Sequence, residues 1–209
     1  MKIMFSADGI SKSELEKTAI ISEYVDCIKI GHVLCSTLTF DEINKLVGGR
    51  DIFLDFKLHD IPNTVKTAIE NYSKSIKNLK YFTFHGTASD EMVKAALSAK
   101  TTAIPLAVIT LSSDSKFDKT DSLEKFKRCV NLGVTDFICH PYLVADVKKM
   151  FGDNIKLYVP GVRLDSDSKD DHFNALTPQK AKELGVDYII VGRPLLKADN
   201  ILDKLQEFI

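Results

Sequence analysis

Tryptophan is missing from this 209-residue chain, and cysteine, proline and glycine are sparse, at 4, 6 and 10 residues. The cysteines form no CxxC spacing, which excludes a zinc-ribbon pattern and the dense pairing of a small secreted scaffold. Cys27, Cys35, Cys129 and Cys139 therefore read as free thiols among apolar neighbours in a reducing compartment. Low proline and glycine exclude collagen-like and low-complexity stretches, and no linker divides the chain. Excess charge of either sign is lacking too: 28 Lys and Arg stand against 29 Asp and Glu. Neither a basic field for nucleic acid nor a polybasic membrane patch is expected. No apolar run approaches the roughly 20 residues of a membrane span, and Met-Lys-Ile-Met-Phe-Ser-Ala-Asp at the start is too short for a signal peptide. A cytoplasmic protein without nucleic-acid or membrane partners is the expectation.

What is present is a rhythm. Short apolar runs predict strands at 3–7, 27–31, 51–56, 80–84, 104–110, 136–139, 155–159 and 187–191. Amphipathic stretches at 11–24, 39–47, 63–77, 89–99, 121–131, 142–151, 177–184 and 200–208 predict the helices between them. Strands that alternate with helices pair in parallel through right-handed crossovers. Repeated over residues 1–209, this unit predicts one α/β domain, a (β/α)₈ TIM barrel, near the lower size limit of that fold. An open doubly wound sheet is the competing architecture. No GxGxxG follows the first strand and no Walker lysine motif appears, which counts against its usual nucleotide-binding forms.

Such barrels carry their chemistry at the carboxyl ends of the strands, and polar residues gather there. Residues 55–64 read Asp-Phe-Lys-Leu-His-Asp-Ile-Pro-Asn-Thr. Side chains two apart on a strand share a face, so Asp55 and Lys57 are expected to project together. Asp60 follows where the strand ends, and Pro62 can open a helix at its first position. The first strand runs to Asp8, the fourth to His85, and the fifth to Thr110 and Ser112. Lys29 lies inside an apolar strand, where an unpaired charge is costly, and Asp55 is its natural partner. The sixth strand ends in Cys139-His140, to which the sequence gives no clear role.

Gly192-Arg193-Pro194 follows the last strand, where many barrels hold phosphate. Glycine lets the backbone approach an anion, and a guanidinium forks onto its oxygens. The plain alternative is an arginine paired with a surface carboxylate. Pro160-Gly161-Val162-Arg163 leads into a long polar loop, 164–176, which reads as a lid or simply as surface. The stretch 112–120 could close from the other side. For Asp55, Lys57 and Asp60 the bland reading is a salt-bridged strand end with Asp60 capping the next helix. With Lys29 and Asp8 on neighbouring strands, a functional array is favoured. Alternating charges keep a lysine protonated and a carboxylate ionised. A carboxylate brought by substrate would be repelled, since two like charges 4 Å apart at an effective dielectric of 20 interact by roughly 4 kcal/mol. Lys57 could then deliver a proton to the carbon where negative charge appears.

Asp55-x-Lys57-x-x-Asp60-Ile61-Pro62-x-Thr64 resembles the signature of the orotidine 5′-phosphate decarboxylase family. The likeness extends to Asp8, Ile28-Lys29-Ile30-Gly31, Pro160-Gly161-Val162-Arg163 and Val191-Gly192-Arg193-Pro194. It implies decarboxylation of orotidine 5′-phosphate to UMP in pyrimidine biosynthesis, with no cofactor and no metal, by a homodimer of barrels. It makes Lys57 the proton donor to C6, with Asp55 beside it. Asp60, Ile61 and Thr64 would enter the partner's site, so that each active site is shared. Asp8 and Lys29 would hold ribose hydroxyls, and Ser112 (or Ser113) would contact the pyrimidine. Gly192 and Arg193 would bind phosphate with Arg163 nearby, and 164–176 would be the lid. One departure stands out: where the family usually places a glutamine in that loop, Asp170-Asp171 is followed by His172. An imidazole cannot offer an amide's donor and acceptor pair, and a merely solvated His172 is the other reading. The rival enzyme is a relative such as 3-hexulose-6-phosphate synthase, a magnesium-dependent aldolase with Asp-x-Lys-x-x-Asp but without Ile-Pro-x-Thr. A silent phosphate-binding dimer is the alternative outside catalysis.

Overall fold

Parallel strands cannot be joined by tight turns, so a chain that alternates strand and helix must wind in one direction as it adds each unit. The computed structural model describes residues 1–7, 11, 12, 15, 18–21, 23–114, 116–164 and 176–209, without the side chains of residues 18 and 19. Its strands are β1 (Lys2–Ser6), β2 (Cys27–Gly31), β3 (Ile52–Leu58), β4 (Leu79–His85), β5 (Ile104–Val108), β6 (Asp136–Ile138), β7 (Lys156–Pro160) and β8 (Tyr188–Val191). Each pairs in parallel with the next, and β8 returns to β1 from Lys2 opposite Tyr188 to Phe5 opposite Val191. That last ladder closes a (β/α)₈ barrel, as expected, and overturns the open-sheet alternative, which would leave two edge strands unpaired.

The helices described are α1 (His32–Cys35), α2 (Phe40–Val47), α3 (Pro62–Ser75), α4 (Asp90–Leu97), α5 (Lys119–Asn131), α6 (Val144–Phe151), α7 (Pro178–Glu183), α8 (Arg193–Leu196) and α9 (Ile201–Gln206). Their starts follow from local chemistry. Thr39 and Glu42 form a reciprocal capping box on α2, while Ser89, Asp118 and Thr177 accept backbone N–H groups at the heads of α4, α5 and α7. Pro62 occupies the first turn of α3, where its missing N–H costs nothing. Of the helix expected at 11–24, Thr18–Ile21 forms a 3₁₀ turn, and several other positions lie outside the described residues. The one expected at 142–151 divides into a 3₁₀ turn, Pro141–Leu143, and α6. The four-residue helices α1 and α8 are too short for a 3.6-residue period to show in the sequence.

Alternation along the strands builds two apolar layers. Ile3, Phe5, Ile28, Ile30, Leu54, Phe82 and Phe84 point outward and pack under the helices. Met4, Cys27, Phe53, Tyr81, Leu106, Ile138, Tyr158, Tyr188 and Ile190 fill the barrel itself. Buried phenols need partners: Tyr81 donates to Asp26 at 3.1 Å and Tyr158 to Asp136 at 2.8 Å, while the Tyr158 and Tyr188 rings stack at 4.4 Å. One end of the barrel is thereby plugged. The inward positions nearer the carboxyl ends are Ser6, Lys29, Asp55 and Thr83, so the interior turns polar where it opens. All four cysteines are free thiols, three buried and Cys35 half-buried, as their apolar surroundings led us to expect. Among the described residues no helix is long and apolar enough to cross a membrane.

Candidate active site

The polar end of the barrel encloses a cavity of about 500 Å³, lined by Lys29, Asp55 and Lys57 on one side and by Gly161, Arg163, Gly192 and Arg193 on the other. At its centre Asp55 accepts from the Lys29 ammonium at 3.0 Å on Oδ2 and from the Lys57 ammonium at 2.9 Å on Oδ1. Asp55 also accepts from the Thr83 hydroxyl at 2.9 Å. Burial is the largest single influence on the Asp55 carboxyl and would raise it. The Lys29 and Lys57 charges and their hydrogen bonds together outweigh burial and hold the group well below the usual carboxylate range. Asp55 is therefore ionised at neutral pH, although its side chain is only 13% exposed.

Lys57 reaches Asp55 by a different route from the simple alternation expected. The β3–β4 ladder pairs Leu54 with Phe82 and then Leu58 with Phe84, so β3 bulges between them. Within the bulge Lys57 takes φ = +46°, a left-handed conformation rare for a residue with a side chain. Its backbone N–H donates to the Thr83 hydroxyl at 2.8 Å. The bulge, and not the two-residue repeat, turns the lysine toward the cavity.

The cation-rich opposite wall follows from the ends of β7 and β8. Gly161 has φ = +75° and swings the chain after Pro160 back over the cavity. Arg163 is buried, donates through Nη1 to the Val162 carbonyl at 2.9 Å, and is tied by its backbone N–H to Leu176. Gly192 lies against β1: a Cβ there would stand 3.0 Å from Ser6 Cβ and 3.1 Å from the Ser6 carbonyl. Only glycine permits that approach without displacing backbone, and it sets Arg193 at the start of α8. Among the described lining residues, Lys29, Lys57, Arg163 and Arg193 face a single carboxylate, Asp55. Such a cavity suits an anionic ligand.

The expected residues divide into three groups. Lys29, Asp55, Lys57, Ser112, Arg163, Gly192 and Arg193 line one cavity, as does Ser113, so both readings of the β5 loop stay compatible with it. Asp60, Ile61 and Thr64 do not line it: Asp60 and Ile61 border a shallow depression with Ser89 and Met92, Ile61 is 66% exposed, and Thr64 is exposed. Asp60 accepts the Ile61 N–H at 2.6 Å, and Ile61, the residue preceding α3, makes no side-chain cap; the plain alternative of Asp60 as the helix cap is not what forms. Asp8, His172 and the body of the 164–176 lid lie outside the described residues. His85 is not part of the lining; its ring packs 5.2 Å from His59.

Sequence reasoning missed Ser6 and Thr83, and it missed the apolar floor made by Val108, Ile138 and Ile190. Counting inward-facing positions along each predicted strand would have found Ser6 and Thr83, since each precedes the strand end on the interior face. His140, to which the sequence assigned no role, is buried and packs against Phe117 of the 112–120 loop at 4.6 Å. Among the described residues no group of three or more His, Cys, Asp or Glu side chains comes close enough to ligate a metal ion.

Comparison with known proteins finds likeness over nearly the full length of the chain. Residues 1–208 match the family described as Orotidine 5′-phosphate decarboxylase / HUMPS family. The chain is 31% identical to an orotidine 5′-phosphate decarboxylase of Buchnera aphidicola subsp. Schizaphis graminum, with 98% of this chain and 92% of that protein covered. It is 34% identical to the enzyme of that name from Bacillus cytotoxicus, over 76% of this chain and 74% of the relative. Among solved structures, orotidine 5′-phosphate decarboxylase from Lactobacillus acidophilus superposes with a TM-score of 0.81 at 27% identity, covering 99% of this chain and 98% of that one. A closed barrel of the same shape and a sequence match from the first residue to the last but one give one assignment: this chain belongs to the orotidine 5′-phosphate decarboxylase / HUMPS family.

Proposed function

We propose that this chain decarboxylates orotidine 5′-phosphate to UMP without a cofactor, with Lys57 as the acid that protonates C6. The observation that carries the reading is the Lys29–Asp55–Lys57 array, a buried ionised carboxylate clamped between two ammonium groups. The names of the relatives supply the substrate, and the cation-rich wall suits its phosphate. With the phosphate held by Gly192, Arg193 and Arg163, the pyrimidine carboxylate is directed toward Asp55. The two like charges repel, and departure of carbon dioxide relieves that repulsion. The C6–carboxyl bond breaks, its electron pair stays on C6, and a proton passes from the Lys57 ammonium to that carbon. Lys57 then regains a proton from solvent. Lys29 keeps Asp55 ionised throughout, and on this reading Lys29 and Asp8 hold the ribose hydroxyls.

The same reading makes the working unit a homodimer. Asp60 and Ile61 are exposed, as is Thr64, and none of the three lines its own cavity, which supports a role for them in the site of a second copy. A cytoplasmic location accords with a soluble nucleotide substrate. The test is direct: orotidine 5′-phosphate is added in the presence of EDTA and the ultraviolet change on conversion to UMP is followed. Turnover unaffected by EDTA is expected. No turnover of orotidine 5′-phosphate, together with a Mg²⁺-dependent aldol cleavage of a hexulose 6-phosphate that EDTA abolishes, would favour the aldolase-like relative. Tight UMP binding without turnover of either would leave a silent binding protein.

A further inference from the structure

We propose that Thr83 is a positioning residue that sets the Lys57 ammonium, a role that rests on the reading of Lys57 as proton donor. The β3–β4 ladder is in register at Leu54 with Phe82 and again at Leu58 with Phe84. Thr83 is the one β4 residue between those two pairs, and it faces Asp55, Phe56 and Lys57. Its hydroxyl does two things across the gap. It accepts the Lys57 backbone N–H at 2.8 Å, and it donates to Asp55 Oδ1 at 2.9 Å, the same oxygen that receives the Lys57 ammonium at 2.9 Å. Both ends of the lysine, its backbone and its terminal charge, are thus referred to one hydroxyl or to the carboxylate oxygen it holds.

The lysine needs this support. At φ = +46° it occupies a region that residues with a Cβ leave unless their surroundings over-determine it. In a bulge the backbone N–H has lost its ladder partner, and Thr83 replaces it. Thr83 is fully buried and does not line the cavity, so it acts through Lys57 and Asp55 and not on substrate. Any residue that fills the space without a hydroxyl leaves the part-buried Lys57 N–H without this partner and frees the bulge to relax. A displacement of the ammonium by about 1 Å costs on the order of 100-fold in rate when the group must meet one carbon.

The experiment compares Thr83→Val, Thr83→Ala and Thr83→Ser with the parent enzyme at saturating orotidine 5′-phosphate, alongside Lys57→Ala. Thr83→Val keeps the shape, and Thr83→Ala removes the same hydroxyl without adding bulk, so a folding defect in one does not decide the matter. The expected result is a kcat about 10- to 100-fold lower in both, with KM and UMP affinity within about threefold of the parent. Thr83→Ser is expected to restore kcat to within about threefold, because the hydroxyl alone makes both contacts. A merely structural threonine would lower thermal stability and leave kcat untouched. Parental kcat in Thr83→Val and Thr83→Ala, an effect confined to KM, or a Thr83→Ser enzyme as slow as Thr83→Val would each overturn the proposal. Low kcat in Lys57→Ala beside parental kcat in Thr83→Val would bring down the role of Thr83 alone. Parental kcat in Lys57→Ala would bring down the proton-donor reading together with it.

Discussion

Replacing Lys29 by methionine removes one ammonium from the Asp55 carboxylate while keeping most of the side chain's volume. The Lys29–Asp55 contact is 3.0 Å long, and the two side chains are 10% and 13% exposed. At that separation and an effective dielectric of 20 the gross attraction is about 5–6 kcal/mol, before the cost of taking both charges out of water. Breaking a buried pair by removing one partner typically costs about 3–5 kcal/mol. Because Asp55 keeps its bonds from Lys57 and Thr83, the lower end, about 3 kcal/mol, is expected. For a domain of this size that lowers Tm by roughly 6–12 °C at pH 7. The pH dependence should change as well. In the parent, the Asp55 carboxyl lies below its unfolded-state value near 4, so its ionisation stabilises the fold fully above that value and the gain is lost as pH falls through the lower folded one. Without Lys29, Lys57 is the one ammonium left on Asp55 to oppose burial, the folded value rises, and the loss begins at higher pH. Thermal unfolding followed by circular dichroism between pH 3 and pH 8, with no ligand present, measures both effects. A Lys29→Met protein that melts within about 2 °C of the parent and has the same acid limb would refute the charge-balanced array.

Arg193→Ala should raise KM about 10- to 150-fold with a smaller change in kcat, the equivalent of one charge-assisted hydrogen bond of about 1.5–3 kcal/mol; a variant enzyme with parental KM would show that Arg193 does not hold the phosphate. Gly192→Ala forces a methyl against the Ser6 Cβ and carbonyl at 3.0 and 3.1 Å, and should lower stability by about 1–3 kcal/mol, with differential scanning calorimetry as the check. Mixing separately inactive Lys57→Ala and Asp60→Ala proteins should recover part of the activity, because one of the two sites in a hybrid dimer would carry both wild-type residues. Absence of recovery after subunit exchange has been demonstrated would argue against shared sites.

Most strands were legible because each carries its own signal. An apolar run flanked by turn residues marks a strand regardless of what it later touches, and the predicted bounds at β2 agree with the structure to the residue. Pro62 marked the start of α3 for an equally local reason. The pairing of Lys29 with Asp55 was also anticipated, since an unpaired ammonium in an apolar strand is costly enough to demand a carboxylate. The contact spans 26 residues of sequence, however, and its length depends on the β2–β3 register. Thr83 escaped notice because a single threonine in the run Lys-Tyr-Phe-Thr-Phe looks like ordinary strand composition. Its importance comes from facing a bulge in another strand.

The amino-acid order by itself determined the alternation of strand and helix, the parallel sheet, and the gathering of Asp55 and Lys57 at one strand's carboxyl end, because these follow from short-range periodicity and from motifs within a few residues. Eight such units already favoured a closed barrel; the tertiary structure alone decided the β1–β8 register that closes it, that Gly192 lies against Ser6, and that Lys57 turns inward through a left-handed bulge held by Thr83. Those features depend on strand register, which packing of the two apolar layers sets collectively. No single stretch of the chain carries that information.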